Sequence, residues 1–161
     1  MSELVVDKRF GDIEIDDALG VRKLIGDERN LHLTDGVDGF DGVSTHYIGY
    51  LEHTPIAVAR LRLLDAMVGL GRDARVDNVG VLEAYRGQSF GRQIMLHVLA
   101  GLEDLPVYSD VDELLVESPE ASIGFFEKLG FTAARSTFTQ FGGKYRRLYR
   151  TIHDEYNHEL I

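Results

Sequence analysis

Seven consecutive residues carry the clearest chemistry in the chain: Arg86-Gly87-Gln88-Ser89-Phe90-Gly91-Arg92. Two arginines flank a glycine-bearing turn. Converging backbone N–H groups, the positive end of a helix dipole and guanidinium groups together hold phosphate oxygens. Gly87 and Gly91 alone are equally compatible with simple turn chemistry. The same residues also spell Gly-x-Ser-x-Gly around Ser89, the pattern of a hydrolase nucleophile elbow. Asp110 or Asp112 and then His153 follow in the order Ser, Asp, His. Phosphate binding and serine hydrolysis therefore compete for one turn.

The elements around the turn favour phosphate. Upstream, the spacing predicts a strand over 75–81, with Arg75, Asp77, Val79 and Val81 on one face and Val76, Asn78 and Gly80 on the other. Downstream, Phe90, Ile94, Val98 and Leu102 recur every fourth residue, with Met95 and Leu99 widening an amphipathic helical stripe. The strand ends near Val81, too early to place Ser89 on a sharp strand-to-helix elbow. The 161 residues are also few for a complete doubly wound hydrolase sheet. His153 lies in a polar tail, 153–161, expected to be loose.

Elsewhere, Leu4-Val5-Val6 reads as a strand. Asp16 and Asp17 open a helix carried by Ala18, Val21, Leu24 and Ile25, with Gly26 as its stop. The repeated aspartates and glycines from Asp35 to Gly42 lack the alternate spacing and distal glutamate of a calcium loop, so they read as a solvated loop and no metal site is expected. Two strands, 47–51 and 56–64, flank a turn at Glu52-His53-Thr54-Pro55. In the second of them Val58, Arg60, Arg62 and Leu64 share a face. His46 and His53 read as structural or solvated. Leu114-Leu115-Val116 reads as a buried strand. Ser118, Pro119 and Glu120 then suit a helix cap, first position and dipole, and that helix ends at Gly130. Gly142-Gly143 is a hairpin turn between two final strands. The order β α β β β α β α β β implies an α+β domain, mostly antiparallel with one parallel step.

Composition narrows the function. The apolar and charged fractions, 44% and 27%, are those of an ordinary soluble globule. A formal net charge of -10 argues against nucleic-acid binding and weakly favours a cationic substrate. Cysteine is absent, which excludes disulfides, thiolate zinc and a cysteine nucleophile, and suits the cytoplasm. No apolar run is long enough to span a membrane.

The stretch VGVLEAYRGQSFGRQIM, through Val81, Tyr85, Arg86, Gly87 and Gly91, resembles motif A of the GNAT (N-acetyltransferase) superfamily. ESPEASIGFFEKLGF, through Phe125, Glu127, Lys128, Gly130 and Phe131, resembles motif B, and the two stand in the family's order. The resemblance implies a single GNAT-like domain over 1–161, with the central strands splayed around acetyl-CoA. Val79, Gly80 and Val81 would meet the acetyl and pantetheine arm through their main chain. Arg86, Gly87, Gln88, Ser89, Phe90, Gly91 and Arg92 would cradle the diphosphate. Asp77, on the face of Val79 and Val81, matches a glutamate of a small bacterial subgroup and would act as the base that deprotonates an amine. Glu83 is the second choice, and the structural alternative for Asp77 is a pair with Arg75. Two residues depart from the pattern. Ser89 stands where the family has glycine. Phe126 stands in the coenzyme A site where the family often has a proton-donating tyrosine, leaving Tyr145, Tyr149 or water for that role. The implied reaction is direct acetyl transfer to an amine, with the acceptor site in 27–44. An acyl-CoA-binding domain without catalysis is the alternative. Homodimers are common in the family.

Overall fold

The computed structural model describes residues 3–29, 39–64 and 72–152. Its elements are β1 (Val5–Phe10), α1 (Asp16–Glu28), β2 (Ser44–Leu51), β3 (Thr54–Leu63), β4 (Arg72–Val81), α2 (Phe90–Asp104), β5 (Val111–Pro119), α3 (Ile123–Glu127), β6 (Thr132–Gln140) and β7 (Gly143–Thr151). The seven strands form one sheet in the order β1-β2-β3-β4-β5-β7-β6. The pairs β1–β2, β2–β3, β5–β7 and β6–β7 are antiparallel, and β4–β5 is parallel. This is the mixed α+β sheet with one parallel step that the element order predicts. The parallel ladder runs from Arg72↔Val111 to Arg75↔Leu115, although β4 continues to Val81.

Two compact units divide the chain, 1–62 with 76–101, and 63–75 with 102–161. In the first, α1 buries Ala18 and Val21, with Ile15, against Ile48 of β2 and Val58 of β3. Gly26 does not stop this helix. It is itself buried, and Arg29 N–H continues the ladder to the carbonyls of Ile25 and Gly26. The β2–β3 hairpin turns on Glu52 and His53 alone, at φ 48° and 70°. Two left-handed residues give the twist that flanking strands require.

In the second unit, motif B folds differently from its sequence reading. Ser118 and Pro119 end β5, and the Ser118 hydroxyl donates to the Pro119 carbonyl instead of capping a helix. A 3-10 turn at Glu120–Ser122 precedes the five-residue α3. Gly130 does end it, at φ 93°, with Gly130 N–H on Glu127 O and Phe131 N–H on Phe126 O, the paired bonds of a Schellman stop. The last hairpin turns on Phe141-Gly142, one residue earlier than Gly142-Gly143, because Gln140 pairs with Gly143.

A buried polar knot ties the first unit together. Arg22 of α1 donates to Asp41 Oδ1 (2.9 Å) and approaches His46 Nδ1 (3.0 Å), while His46 Nε2 faces the Asp41 carbonyl (3.0 Å). An arginine can only donate and a carbonyl can only accept. His46 is therefore the neutral tautomer with its proton on Nε2. Burial holds its pKa below the ordinary 6.5, and the Arg22 and Arg60 charges add to this against the pull of Asp41. Unfolding frees the imidazole to protonate, so this contribution to stability is present above pH 6.5 and lost as pH falls from there through the folded value. We expect urea stability of the wild type to fall across that window more steeply than that of His46→Gln, by up to ~1.4 kcal/mol per pH unit. Equal slopes would contradict this.

The entry to α2 is strained. Ser89 sits at φ 68° and accepts the first helical bond, from Gln93 N–H at 3.0 Å. A side chain in this left-handed region costs roughly 1–2 kcal/mol. Ser89→Gly should therefore raise the denaturation midpoint, equivalent to about 1 kcal/mol after the entropy of the freer chain is counted. A lowered midpoint would mean that the serine is favoured there.

Candidate active site

Strand β4 delivers the candidate residues of the first unit. Its alternation matches the sequence reading: Val76 and Gly80 are buried while Asp77, Val79 and Val81 are half-buried. Asn78, expected on the face of Val76 and Gly80, is instead exposed, with φ 50° inside the continuous strand. Gly80 makes room for α1, because a Cβ there would lie 2.6 Å from Ile25 Cδ1. The strand end is braced from two sides. Arg86 Nε donates to Val81 O at 2.8 Å, and Arg86 Nη2 pairs with Glu28 at 3.1 Å. The same Glu28 carboxylate accepts the Glu83 N–H at 3.2 Å. Glu83 itself opens an exposed 3-10 turn, Glu83–Tyr85.

Beyond that turn the chain runs through residues 86–89 into α2. Gly87, at φ 78°, has open space where a Cβ would stand. Gln88, Ser89 and Arg92 are exposed, and Phe90 is buried as the anchor of α2 together with Ile94, Met95 and Val98. The first-turn N–H groups of Phe90, Gly91 and Arg92 have no carbonyl four residues back within the helix. They face out of its N-terminus, and no acidic residue occupies that turn. Ser89 is not on a strand-to-helix elbow, since β4 ends at Val81 and the 3-10 turn intervenes. Asp110 is exposed and pairs with Arg72 at 3.5 Å, and His153 lies outside the described residues.

Asp77 is held by a residue that sequence reasoning missed. Arg60 of β3, 1% exposed, grips it with both arms: Nε to Oδ1 at 2.7 Å and Nη2 to Oδ2 at 2.8 Å. Arg60 Nη1 also donates to Asp41 Oδ1 at 3.1 Å, which joins Asp77 to the knot of Arg22 and His46. Arg75, the partner suggested by proximity in sequence, pairs with Glu117 in the second unit at 2.7 Å. The signal for Arg60 was present, because a guanidinium on the face of a strand as apolar as Ile56–Leu64 must find a carboxylate when buried. Arg62, two residues on, lies 3.6 Å from Asp77 Oδ2 and has its guanidinium carbon 4.0 Å above the Phe40 ring. Phe40 and Asp41 belong to the stretch expected to build the acceptor site, of which residues 30–38 lie outside the described residues.

Phe126 belongs to the second unit. It is 5% exposed and stands edge-on to Phe125 and Phe131, at centroid distances of 5.0 and 5.6 Å. Tyr145 lies among Phe138 and Phe141, whereas Tyr149 is exposed. Among the described residues no helix is long and apolar enough to cross a membrane.

Comparison with known proteins bears on the family and the fold. Residues 43–133 match the family model of the acetyltransferase (GNAT) domain. A curated Bacillus subtilis protein, whose name assigns it provisionally to the acetyltransferases, is 24% identical over 137 residues, covering 83% of this chain and 86% of its own. An acyl-CoA N-acyltransferase from Pseudomonas aeruginosa superposes with a TM-score of 0.76 at 21% identity, over 92% of this chain and 99% of that one. A chain of the NatC complex, solved with a Gag peptide and CoA, superposes with a TM-score of 0.68 at 13% identity, over 92% and 99%. At these identities the two structures speak for the fold alone, and the domain match carries the family. Its span takes in β2 through β5, the Arg86–Arg92 turn and the Gly130 stop, so the chain belongs to the GNAT acetyltransferase family.

Proposed function

We propose that the protein transfers an acetyl group from acetyl-CoA to a primary amine within one ternary complex. The observation that carries this reading is the Arg86–Arg92 turn, with left-handed backbone at Gly87 and Ser89, the first-turn N–H groups of α2 and an exposed arginine. That donor set suits a diphosphate. When bound, acetyl-CoA supplies an activated acetyl thioester. The chain positions it: Phe90 anchors the turn, Arg86 braces the strand end through Val81 O, and β4 offers extended backbone at Val79 and Val81. A backbone N–H near Val81 is the donor for the oxygen that becomes negative in the transfer.

The amine must reach the acetyl carbon with a free lone pair. Its nitrogen bonds that carbon as the carbon–sulfur bond breaks. An amine that arrives as an ammonium has first given one proton to Asp77, directly or through a water; after the attack its nitrogen loses a second proton to solvent while the departing sulfur takes one up. With no cysteine in the chain, a cysteinyl acyl-enzyme has no site, which supports direct transfer. Arg60 occupies one lone pair on each Asp77 oxygen, so the carboxylate keeps further acceptor capacity in a fixed orientation. Glu83, exposed beside the strand end, is the second acceptor. The chain's acidity supports an amine that arrives protonated.

A broad amine panel followed by thiol release, with calorimetry for acetyl-CoA, tests the proposal. Binding with thiol release supports it, whereas binding without release across the panel leaves a non-catalytic acyl-CoA domain. Arg86→Ala should weaken acetyl-CoA about tenfold by unbracing the turn, and unaltered affinity would remove it from that role. Asp77→Asn should lower kcat by about tenfold or more with acetyl-CoA affinity kept. An unchanged kcat at saturating substrate, in a variant whose folding is checked by its thermal transition, would take Asp77 out of the chemistry.

A further inference from the structure

Arg62 is placed in a way that its structural duties do not explain. Its side chain is 12% exposed, yet its Nε is buried without a hydrogen-bond partner. The nearest carboxylate oxygen, Asp77 Oδ2, is 3.6 Å away and already accepts from Arg60 Nη2 at 2.8 Å. Both oxygens of Asp77 are satisfied by Arg60, so Arg62 is not needed to neutralise it. The Arg62 guanidinium carbon stands 4.0 Å over the Phe40 ring, and Phe40 is 44% exposed, so the stack reaches the surface. Desolvating a guanidinium without giving its fork an acceptor is costly. Stacking on an aromatic face holds a guanidinium in place, and a guanidinium so held can still receive a carboxylate bidentately on its N–H edge.

We propose that Arg62 binds the carboxylate of the acceptor, so that the substrate is an amino acid and not a simple amine. This rests on the acetyl-transfer reading, in which Asp77 addresses the amine. With Arg62 Nε only 3.6 Å from Asp77, the two charges of the substrate would be separated by a short spacer, as in an α- or β-amino acid. The pairing of a carboxylate for the amine with a guanidinium for the acid reconciles an acidic chain with a zwitterionic ligand. Arg60 is excluded from the role because both its arms are committed to Asp77 and Asp41.

The test sets α- and β-amino acids beside their carboxamides, in a thiol-release assay at saturating acetyl-CoA, with calorimetry of acetyl-CoA alongside. The wild type should prefer acids over amides by about tenfold or more in kcat/KM, the loss of one charged hydrogen-bonded pair. In Arg62→Gln that preference should collapse to near unity through KM. Arg62→Lys, which keeps the charge but not the fork, should retain part of it and guards against a variant that merely misfolds. Amides turned over as well as acids, a preference that survives in Arg62→Gln, or acetyl-CoA binding with no amino acid acetylated would each overturn the proposal while leaving the cofactor reading intact. Failure to bind acetyl-CoA at all would instead remove the reading beneath it.

Discussion

The two-armed bond between Arg60 and Asp77 is the constraint on which the candidate site depends. A buried guanidinium is tolerated only when its donors are met. Here one arginine meets Asp77 of β4 and Asp41, which opens a 3-10 turn at Asp41–Val43, and Asp41 in turn meets Arg22 of α1. His46 of β2 closes the knot as a neutral ring. One cluster thus holds two strands and a helix at fixed spacing to β4. The proposed base is therefore also part of the core, so under the proposed reaction substitutions at Asp77 move stability and catalysis together.

The legible parts of the fold and the illegible ones differ in physical kind. Period and punctuation were readable: the four-residue stripe from Phe90 to Leu102, the alternation of β4 and the glycine stop at Gly130 all depend on local geometry. Long-range pairings were not. Nothing near Asp77 in sequence identifies Arg60, seventeen residues away, as its partner, and Arg75 was the natural local guess. Turn positions slipped by one where two neighbouring residues could both supply left-handed φ, as at Phe141-Gly142. Ser118 and Pro119 look like a helix start but finish a strand, because the pairing of β5 with β7 through Pro119↔Tyr145 outweighs a local capping preference.

Ser89 and Phe126 are the two departures from the family pattern, and each has a structural consequence. Ser89 adopts the left-handed backbone that glycine would take, so the turn keeps its shape at an energetic cost instead of losing it. Phe126 packs edge-to-face with its neighbours in an aromatic trio and offers no proton, so in the proposed reaction solvent or another group would protonate the departing sulfur.

The central claim is that the backbone of the Arg86–Arg92 turn receives the diphosphate of coenzyme A. Amide hydrogen exchange resolved to single residues, with and without acetyl-CoA, measures this most directly. The account predicts slowed exchange concentrated at Gly87 to Arg92 on binding. Acetyl-CoA binding that leaves these amides exchanging at their free rates would contradict it.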